Sequence, residues 1–181
     1  MLEELGEPYE LSVMTNEPDV REEHRARHPL GRVPVLQDAD GYVFESAAIC
    51  LHLADLHPDA GLLPAPGTHG RALVYQWAVF APAEIEPPLV EAAMQATKDP
   101  ERAAAARARF DAAVGAVSDA LDRNDYLVGE RFTVADVLIG TALAFTQRVG
   151  FADTLPANLT AYIARLGARP AFKRAAAAIA V

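Results

Sequence analysis

The segment GRVPVLQDADGYVFES, residues 31–46, decides the fold of this chain. It reads as two short strands, residues 33–36 and 42–44, joined by a polar turn. The Asp-Gly pair that closes the turn, placed before aromatic and β-branched residues, predicts a hairpin. Pro34 is unusual in the first strand, because proline has no N–H to donate to a β-ladder. An X-Pro bond can be cis at modest cost, and a cis Pro34 would leave the main chain of Val33 free for a ligand, so we expect the Val33–Pro34 bond to be cis.

The composition predicts a globular protein that folds without covalent cross-links. The chain has 181 residues, of which 51% are hydrophobic and 23% charged, enough to bury a core in one domain or two small ones. Cys50 is the single cysteine and excludes an intramolecular disulfide. A formal net charge of −9 disfavours binding to nucleic acid or to anionic membranes. With no signal sequence and no long apolar run, we expect a cytoplasmic protein that spans no membrane.

The hydrophobic pattern changes along the chain from strand-like to helical. Residues 9–13 alternate as in a strand, residues 19–27 favour a short helix, and the strand at 33–36 completes a βαβ unit, which predicts parallel pairing. Ser46 is predicted to cap a helix that ends before Pro58.

A segment rich in proline and glycine, residues 61–67, separates this unit from a second part without strand signals. In that second part the apolar repeats predict helices over residues 70–97 with bends at its prolines, 100–123, 133–149, 158–167 and 170–180. The predicted fold class is therefore α/β followed by all-α, with domains at residues 1–63 and 64–181.

The end of the hairpin carries the candidate binding residues. A free main chain at Val33 would pair with an extended peptide-like ligand as an added strand. Ser46 lies at a helix N-terminus, where unpaired N–H groups and the helix dipole favour a carboxylate. Glu45 supplies a negative charge for an ammonium group. Together these features predict a site for an extended ligand that has a zwitterionic amino-acid head.

Several short motifs, in this order, resemble the glutathione S-transferase family: LEELGEPY at 2–9, HPLGRVPVL at 28–36, FES at 44–46, LLP at 62–64, LVG at 127–129 and FTVAD at 132–136. The resemblance implies a thioredoxin-like N-terminal domain and an all-helical C-terminal domain. It also implies glutathione as the co-substrate. Val33 would pair with its cysteinyl backbone beside cis Pro34, Glu45 and Ser46 would hold its γ-glutamyl head, and Arg32 would meet one of its carboxylates.

The chain departs from the family pattern at its N-terminus. In the family, a first strand and a loop carrying a Tyr, Ser or Cys precede the first helix, and that side chain stabilises the thiolate of glutathione. Here residues 1–5 match the last turn of that helix, with Gly6 as its C-terminal glycine. We therefore expect an incomplete thioredoxin-like domain without its catalytic residue, arising from a misplaced start codon or a truncation.

Three functions fit these residues. The first is conjugation of glutathione to small apolar electrophiles, and the second is a catalytically silent binding or dimerisation module of the same fold. The third, a glutathione-dependent isomerase or reductive dehalogenase, would use the same side chains. The resemblance also implies a homodimer.

We interpret the other residues that could carry chemistry as structural or surface residues. We interpret Cys50 as a buried, inert thiol and the histidines at 24 and 28 as a surface pair, and we assign no metal site. Glu84 and Glu86 diverge on a helix, which favours contacts with solvent or with a second subunit.

Overall fold

A computed structural model of the chain describes residues 1–15 and 17–178. The N-terminal part contains α1 (Leu2–Leu5), α2 (Pro18–Arg25), β1 (Val35–Gln37), β2 (Tyr42–Phe44) and α3 (Ser46–Leu56). The rest is helical: α4 (His69–Phe80), a π-helical turn (Ala81–Ile85), α5 (Glu86–Gln95), α6 (Pro100–Ala120), α7 (Val134–Ala144), α8 (Thr146–Val149), α9 (Ala157–Gly167) and α10 (Pro170–Ala178). Short 3₁₀ turns lie at Pro58–Ala60 and Ala152–Thr154. The predicted fold class, a small α/β unit followed by a helical bundle, is confirmed.

The hairpin forms as the sequence predicts. β1 and β2 pair antiparallel, with Val35 opposite Phe44 and Gln37 opposite Tyr42. The Val33–Pro34 peptide bond is cis. The ladder begins only at Val35, because Pro34 has no N–H with which to extend it.

The predicted strand at residues 9–13 is absent, so the predicted βαβ unit and its parallel pairing are wrong. Within the described residues, the sheet has only β1 and β2. A strand needs a neighbour that accepts and donates main-chain hydrogen bonds, and no strand of the described residues runs beside this segment. Its alternating apolar side chains, Tyr9, Leu11 and Val13, therefore remain exposed.

The first helix ends as predicted and is held by the last one. Gly6 adopts the left-handed conformation at φ 72° and its N–H donates to the Leu2 carbonyl, closing α1. Arg169, just before α10, donates two hydrogen bonds, 2.8 and 2.7 Å long, to the carboxylate of Glu4. The helix α1 and the start of α10 thus pack together. Residues 179 and 180 of the predicted last helix lie outside the described residues.

A capping box anchors α7 at the centre of the helical bundle. The Thr133 side chain accepts a hydrogen bond from the first turn of α7, and the Asp136 carboxylate accepts the N–H of Thr133 at 2.8 Å. Asp136 also accepts the N–H of Leu127 at 2.9 Å and the hydroxyl of Tyr162 at 2.8 Å. This buried carboxylate therefore ties together the N-terminus of α7, the preceding loop and α9.

The bend predicted near the prolines of the first long helix is the π-helical turn between α4 and α5. Pro82 lies in this turn and cannot donate a helical hydrogen bond, which favours the wider winding. The two parts of the chain meet nearby, where Arg71 on α4 pairs with Asp55 on α3 and donates to the Pro64 carbonyl at 2.8 Å. The domain boundary between residues 63 and 64 stays a prediction.

No helix in the part of the chain that the structure describes combines the length and the apolarity needed to cross a bilayer.

Candidate functional site

A cavity of about 350 Å³ lies where the hairpin meets α3, and we call it the hairpin cavity. All five residues that the sequence singles out line it: Arg32, Val33, Pro34, Glu45 and Ser46. Its opposite wall comes from the helical part of the chain, with Ala78, Val79, Pro82, Glu86 and Leu138. The site therefore sits between the two parts of the molecule.

Val33 presents a free main chain to this cavity. The residue is 64% exposed and precedes the first ladder position at Val35. Among the described residues, neither its N–H nor its C=O takes part in a main-chain hydrogen bond outside the regular elements. Both groups are thus available to an extended ligand lying beside β1.

Glu45 is the one non-glycine residue with a positive φ among the described residues. Its φ is 71° and its ψ is 121°. Such a conformation costs about 1–3 kcal/mol for a residue with a side chain and is concentrated at functional sites. This conformation turns the chain from β2 into α3, and Glu45 lines the hairpin cavity at the turn.

This turn corrects the prediction for Ser46. Ser46 is the first residue of α3, whereas Glu45 occupies the capping position without a side-chain cap hydrogen bond. The prediction is wrong by one residue, because the positive φ of Glu45 brings the chain into helical geometry immediately after it. The first N–H groups of α3 have no acceptor within the helix and lie at the cavity, where they favour a carboxylate.

The loop before Val33 is supported by two histidines. His28 is only 3% exposed; its Nδ1 accepts the N–H of Leu30 at 3.0 Å, and its ring centroid lies 4.7 Å from that of Phe44. His24 donates from Nε2 to the carbonyl of Arg32 at 2.7 Å. The interpretation of these histidines as a surface pair is therefore wrong for His28. The loop folds back on the hairpin, a contact that no local pattern indicates.

Sequence reasoning missed Glu86 as a site residue. It is the first residue of α5, directly after the π-helical turn, and its side chain lines the hairpin cavity. Desolvation and the negative charge of Glu45 raise the pKa of the Glu86 carboxyl above its usual range. The available signal was the flanking prolines, Pro82 and the pair at 87 and 88, which predicted a bend without indicating which side chain it directs inward.

A second, larger cavity of about 670 Å³ adjoins the first, and we call it the apolar cavity. It lies between α1, α7 and α10. Apolar side chains form much of its wall, among them Met1, Val90, Phe132, Val137, Phe145 and Phe172. An apolar molecule of modest size would fit this space.

Cys50 lies on α3 but takes no part in either cavity. It is buried, and burial raises the pKa of its thiol to about 11. The thiol is therefore protonated at neutral pH and inert, as the sequence predicts. Trp77 and Phe80 on α4 line neither cavity; their rings pack edge to face with centroids 5.3 Å apart.

Family comparisons cover both parts of the chain. Residues 1–56 match the model of the glutathione S-transferase N-terminal domain, and residues 100–165 match that of the glutathione S-transferase C-terminal domain. Glutathione S-transferase 4 of Zea mays is 31% identical over 97% of this chain and 83% of its own length.

The chain is also similar to a longer protein with a different name and to a solved glutathione S-transferase structure. Elongation factor 1-gamma of Trypanosoma cruzi is 36% identical over 69% of this chain, and the chain spans only 30% of that relative. A solved structure of a sphingomonad glutathione S-transferase complexed with glutathione superposes with a TM-score of 0.76 at 31% identity, covering 85% of this chain and 77% of that one.

Proposed function

Because the chain belongs to the glutathione S-transferase family, we propose that it binds glutathione in the hairpin cavity and conjugates it to small apolar electrophiles. The observation that carries this proposal is the convergence of five residues from one hairpin and one helix start on a single cavity. One of them, Glu45, holds a strained backbone at that point. Glutathione S-transferase relatives of similar length support the same assignment.

Each part of glutathione has a matching group in the cavity. The free N–H and C=O of Val33 would pair with the cysteinyl backbone of the tripeptide. The first N–H groups of α3, together with the Ser46 hydroxyl, would hold the γ-glutamyl carboxylate. Glu45 would pair with the ammonium of that head, and Arg32 would meet the second carboxylate. The polar groups thus follow the order of charges along the ligand.

The apolar cavity would hold the electrophile. The two cavities share Glu86 in their linings, so a thiol in one and an electrophile in the other would meet near that residue. Holding both reactants in this way replaces a bimolecular encounter by a reaction within one complex. The chain would act in the cytoplasm as a homodimer, and its mass in solution, measured by light scattering, tests the second statement.

A glutathione titration by calorimetry tests the proposed binding. Glu45→Gln keeps the shape of the side chain and removes its charge, and we expect at least about a tenfold loss of affinity. Glu84→Gln is the matched control, because Glu84 is exposed and lines neither cavity. Deamino-glutathione, which lacks the ammonium group, should bind wild type and Glu45→Gln equally. Equal glutathione affinity for wild type and Glu45→Gln would contradict the assigned role of Glu45.

A second candidate function is a catalytically silent glutathione-binding module. The similarity to elongation factor 1-gamma, a protein not named as a transferase, favours it. So does the lining of the hairpin cavity, where the described residues include the Ser46 hydroxyl but no cysteine or tyrosine. Glutathione binding without turnover of a chromogenic nitroaryl chloride would select this function over conjugation.

A further inference from the structure

We propose that the Glu86 carboxylate accepts the thiol proton of bound glutathione and returns it to the conjugate, which makes α,β-unsaturated carbonyl compounds the favoured electrophiles. This inference rests on the proposed function and names the substrate class of the same site.

The position of Glu86 carries the inference. Among the described residues, it alone lines both the hairpin cavity and the apolar cavity. A thiol held by Val33 in the first cavity and an electrophile in the second would meet at this boundary. Glu86 also remains accessible to solvent, as a group that exchanges protons with water must. A carboxylate placed there can reach the reacting atoms of both molecules.

The backbone around Glu86 is built to hold it in place. The π-helical turn ends one residue before it, and such turns are frequent at functional sites. The neighbouring apolar side chains, Ile85 and Leu89, are completely buried and fix this end of α5 in the core. Anchors on both sides of an accessible carboxylate give it a defined position relative to bound reactants.

Desolvation and a neighbouring negative charge make Glu86 a better base than a free carboxylate. Desolvation and the charge of Glu45 raise its pKa, which strengthens its affinity for a proton. His28 and Arg32 are the other titratable or charged groups of the hairpin cavity. In the apolar cavity, the acidic groups already have partners: Glu3 bonds Arg174, Glu4 bonds Arg169, and Asp136 accepts from Tyr162. Arg148 completes the charged groups of that cavity.

The proton balance of the reaction explains the choice of electrophile. The thiol proton moves to a Glu86 oxygen, and the sulfur lone pair forms a bond to the β-carbon of the unsaturated carbonyl compound. The π electrons of the C=C bond move to give an enolate. The protonated Glu86 then returns the proton to the α-carbon, and the C=O bond re-forms. A nitroaryl chloride releases chloride instead, so it needs no proton returned and uses only half of this cycle.

The test compares wild type with Glu86→Gln, Glu86→Asp and the control Glu84→Gln. Calorimetry gives the affinity for glutathione, and steady-state kinetics give kcat/KM for an α,β-unsaturated aldehyde and for a nitroaryl chloride. We expect Glu86→Gln to bind glutathione within about twofold of wild type, since it keeps the shape of the site. Its kcat/KM for the aldehyde should fall about 100-fold or more, the usual contribution of general acid–base catalysis.

Three further results are expected. The loss of kcat/KM for the nitroaryl chloride should be smaller than for the aldehyde. Glu86→Asp, which keeps the carboxylate, should recover part of the aldehyde activity, and Glu84→Gln should match wild type. In wild type, kcat/KM should rise with pH as the Glu86 carboxyl loses its proton. This rise should disappear in Glu86→Gln.

Other outcomes overturn the inference in distinguishable ways. If Glu86→Gln and wild type have equal activity with the aldehyde, Glu86 has no catalytic role. Glutathione binding without turnover leads to the same conclusion. Neither result contradicts the proposed glutathione site. A tenfold weaker affinity with an unchanged kcat assigns Glu86 to binding the ammonium beside Glu45 and also overturns it. A wild-type chain that binds no glutathione overturns the inference and the proposed function together.

Discussion

Glu45 and Glu86 line the same cavity, and the negative charge of Glu45 raises the pKa of the Glu86 carboxyl. The first residue ends the hairpin and the second begins α5, so this pair lies at the boundary between the two parts of the chain. Two carboxylates in one cavity repel each other, and a bound ammonium group would relieve that repulsion. The repulsion between these two carboxylates should affect the stability of the fold as well as ligand binding.

Glu86→Gln should stabilise the unliganded chain at neutral pH. The folded-state pKa of Glu86 is raised, so folding favours its protonated form, and its ionisation above the ordinary carboxyl pKa destabilises the fold. Because the group is accessible to solvent, we expect a gain below about 1 kcal/mol. Urea unfolding at several pH values checks this: the gain should vanish at about pH 4, where the wild-type carboxyl is protonated. A gain of the same size in Glu84→Gln would contradict the explanation.

Asp136→Asn should destabilise the chain strongly. The carboxylate accepts the N–H groups of Leu127 and Thr133, and an amide has only one oxygen for these two donors. The site is buried, so the unpaired donor costs about 1–3 kcal/mol, in addition to the loss of charge-assisted bonds. Chemical unfolding gives the loss of free energy. Asp119→Asn, at an exposed helical position, serves as the control and should change stability by less than about 0.5 kcal/mol.

Two glycine-to-alanine substitutions, one in α6 and one in α7, should have opposite effects. A Cβ at Gly140 would clash with Cδ1 of Leu166, a side chain that is itself buried. We expect Gly140→Ala to destabilise the chain by about 1 kcal/mol, because overpacking exceeds the gain in helix propensity. A Cβ at Gly115 meets no atom within 4 Å, so Gly115→Ala should stabilise by about 0.5–1 kcal/mol.

Thermal unfolding of both glycine variants measures this difference. Destabilisation by both substitutions would show that steric space is not the deciding factor at these positions. Stabilisation by both would show that α9 moves away from α7 without cost.

Cys50 should react slowly with iodoacetamide in the native protein. Its thiol is buried and its pKa is about 11, so only about one molecule in a thousand carries a thiolate at about pH 8. Labelling followed by mass spectrometry should go to completion only when a denaturant is added. Cys50→Ala should keep the glutathione affinity of the wild type. Rapid native labelling would indicate that α3 opens locally near its N-terminus.

Patterns confined to neighbouring residues predicted most of the fold. The Asp-Gly turn of the hairpin, the capping box of Thr133 and Asp136, and the left-handed Gly6 at the end of α1 all appear where the sequence places them. Each of these features depends on contacts between residues a few positions apart. Local patterns also predicted part of the candidate site, because Val33, Glu45 and Ser46 belong to the hairpin segment and to the helix that begins directly after it.

Apart from the one-residue error at Ser46, which the local backbone of Glu45 explains, the errors occurred where a distant partner decides the outcome. Residues 9–13 have the alternation of a strand, yet a strand forms only beside another strand. His28 is buried because its loop packs against Phe44, which a spacing of four from His24 does not reveal.

The sequence by itself determined the hairpin, the helical nature of the second half and the set of groups that could hold an extended zwitterionic ligand. These follow from turn chemistry, capping and hydrophobic periodicity, which act over a few residues. Only the tertiary structure decided that Glu86 lines the same cavity as Glu45 and also borders the apolar cavity, because the approach of the helical part to the hairpin depends on side chains far apart in the chain.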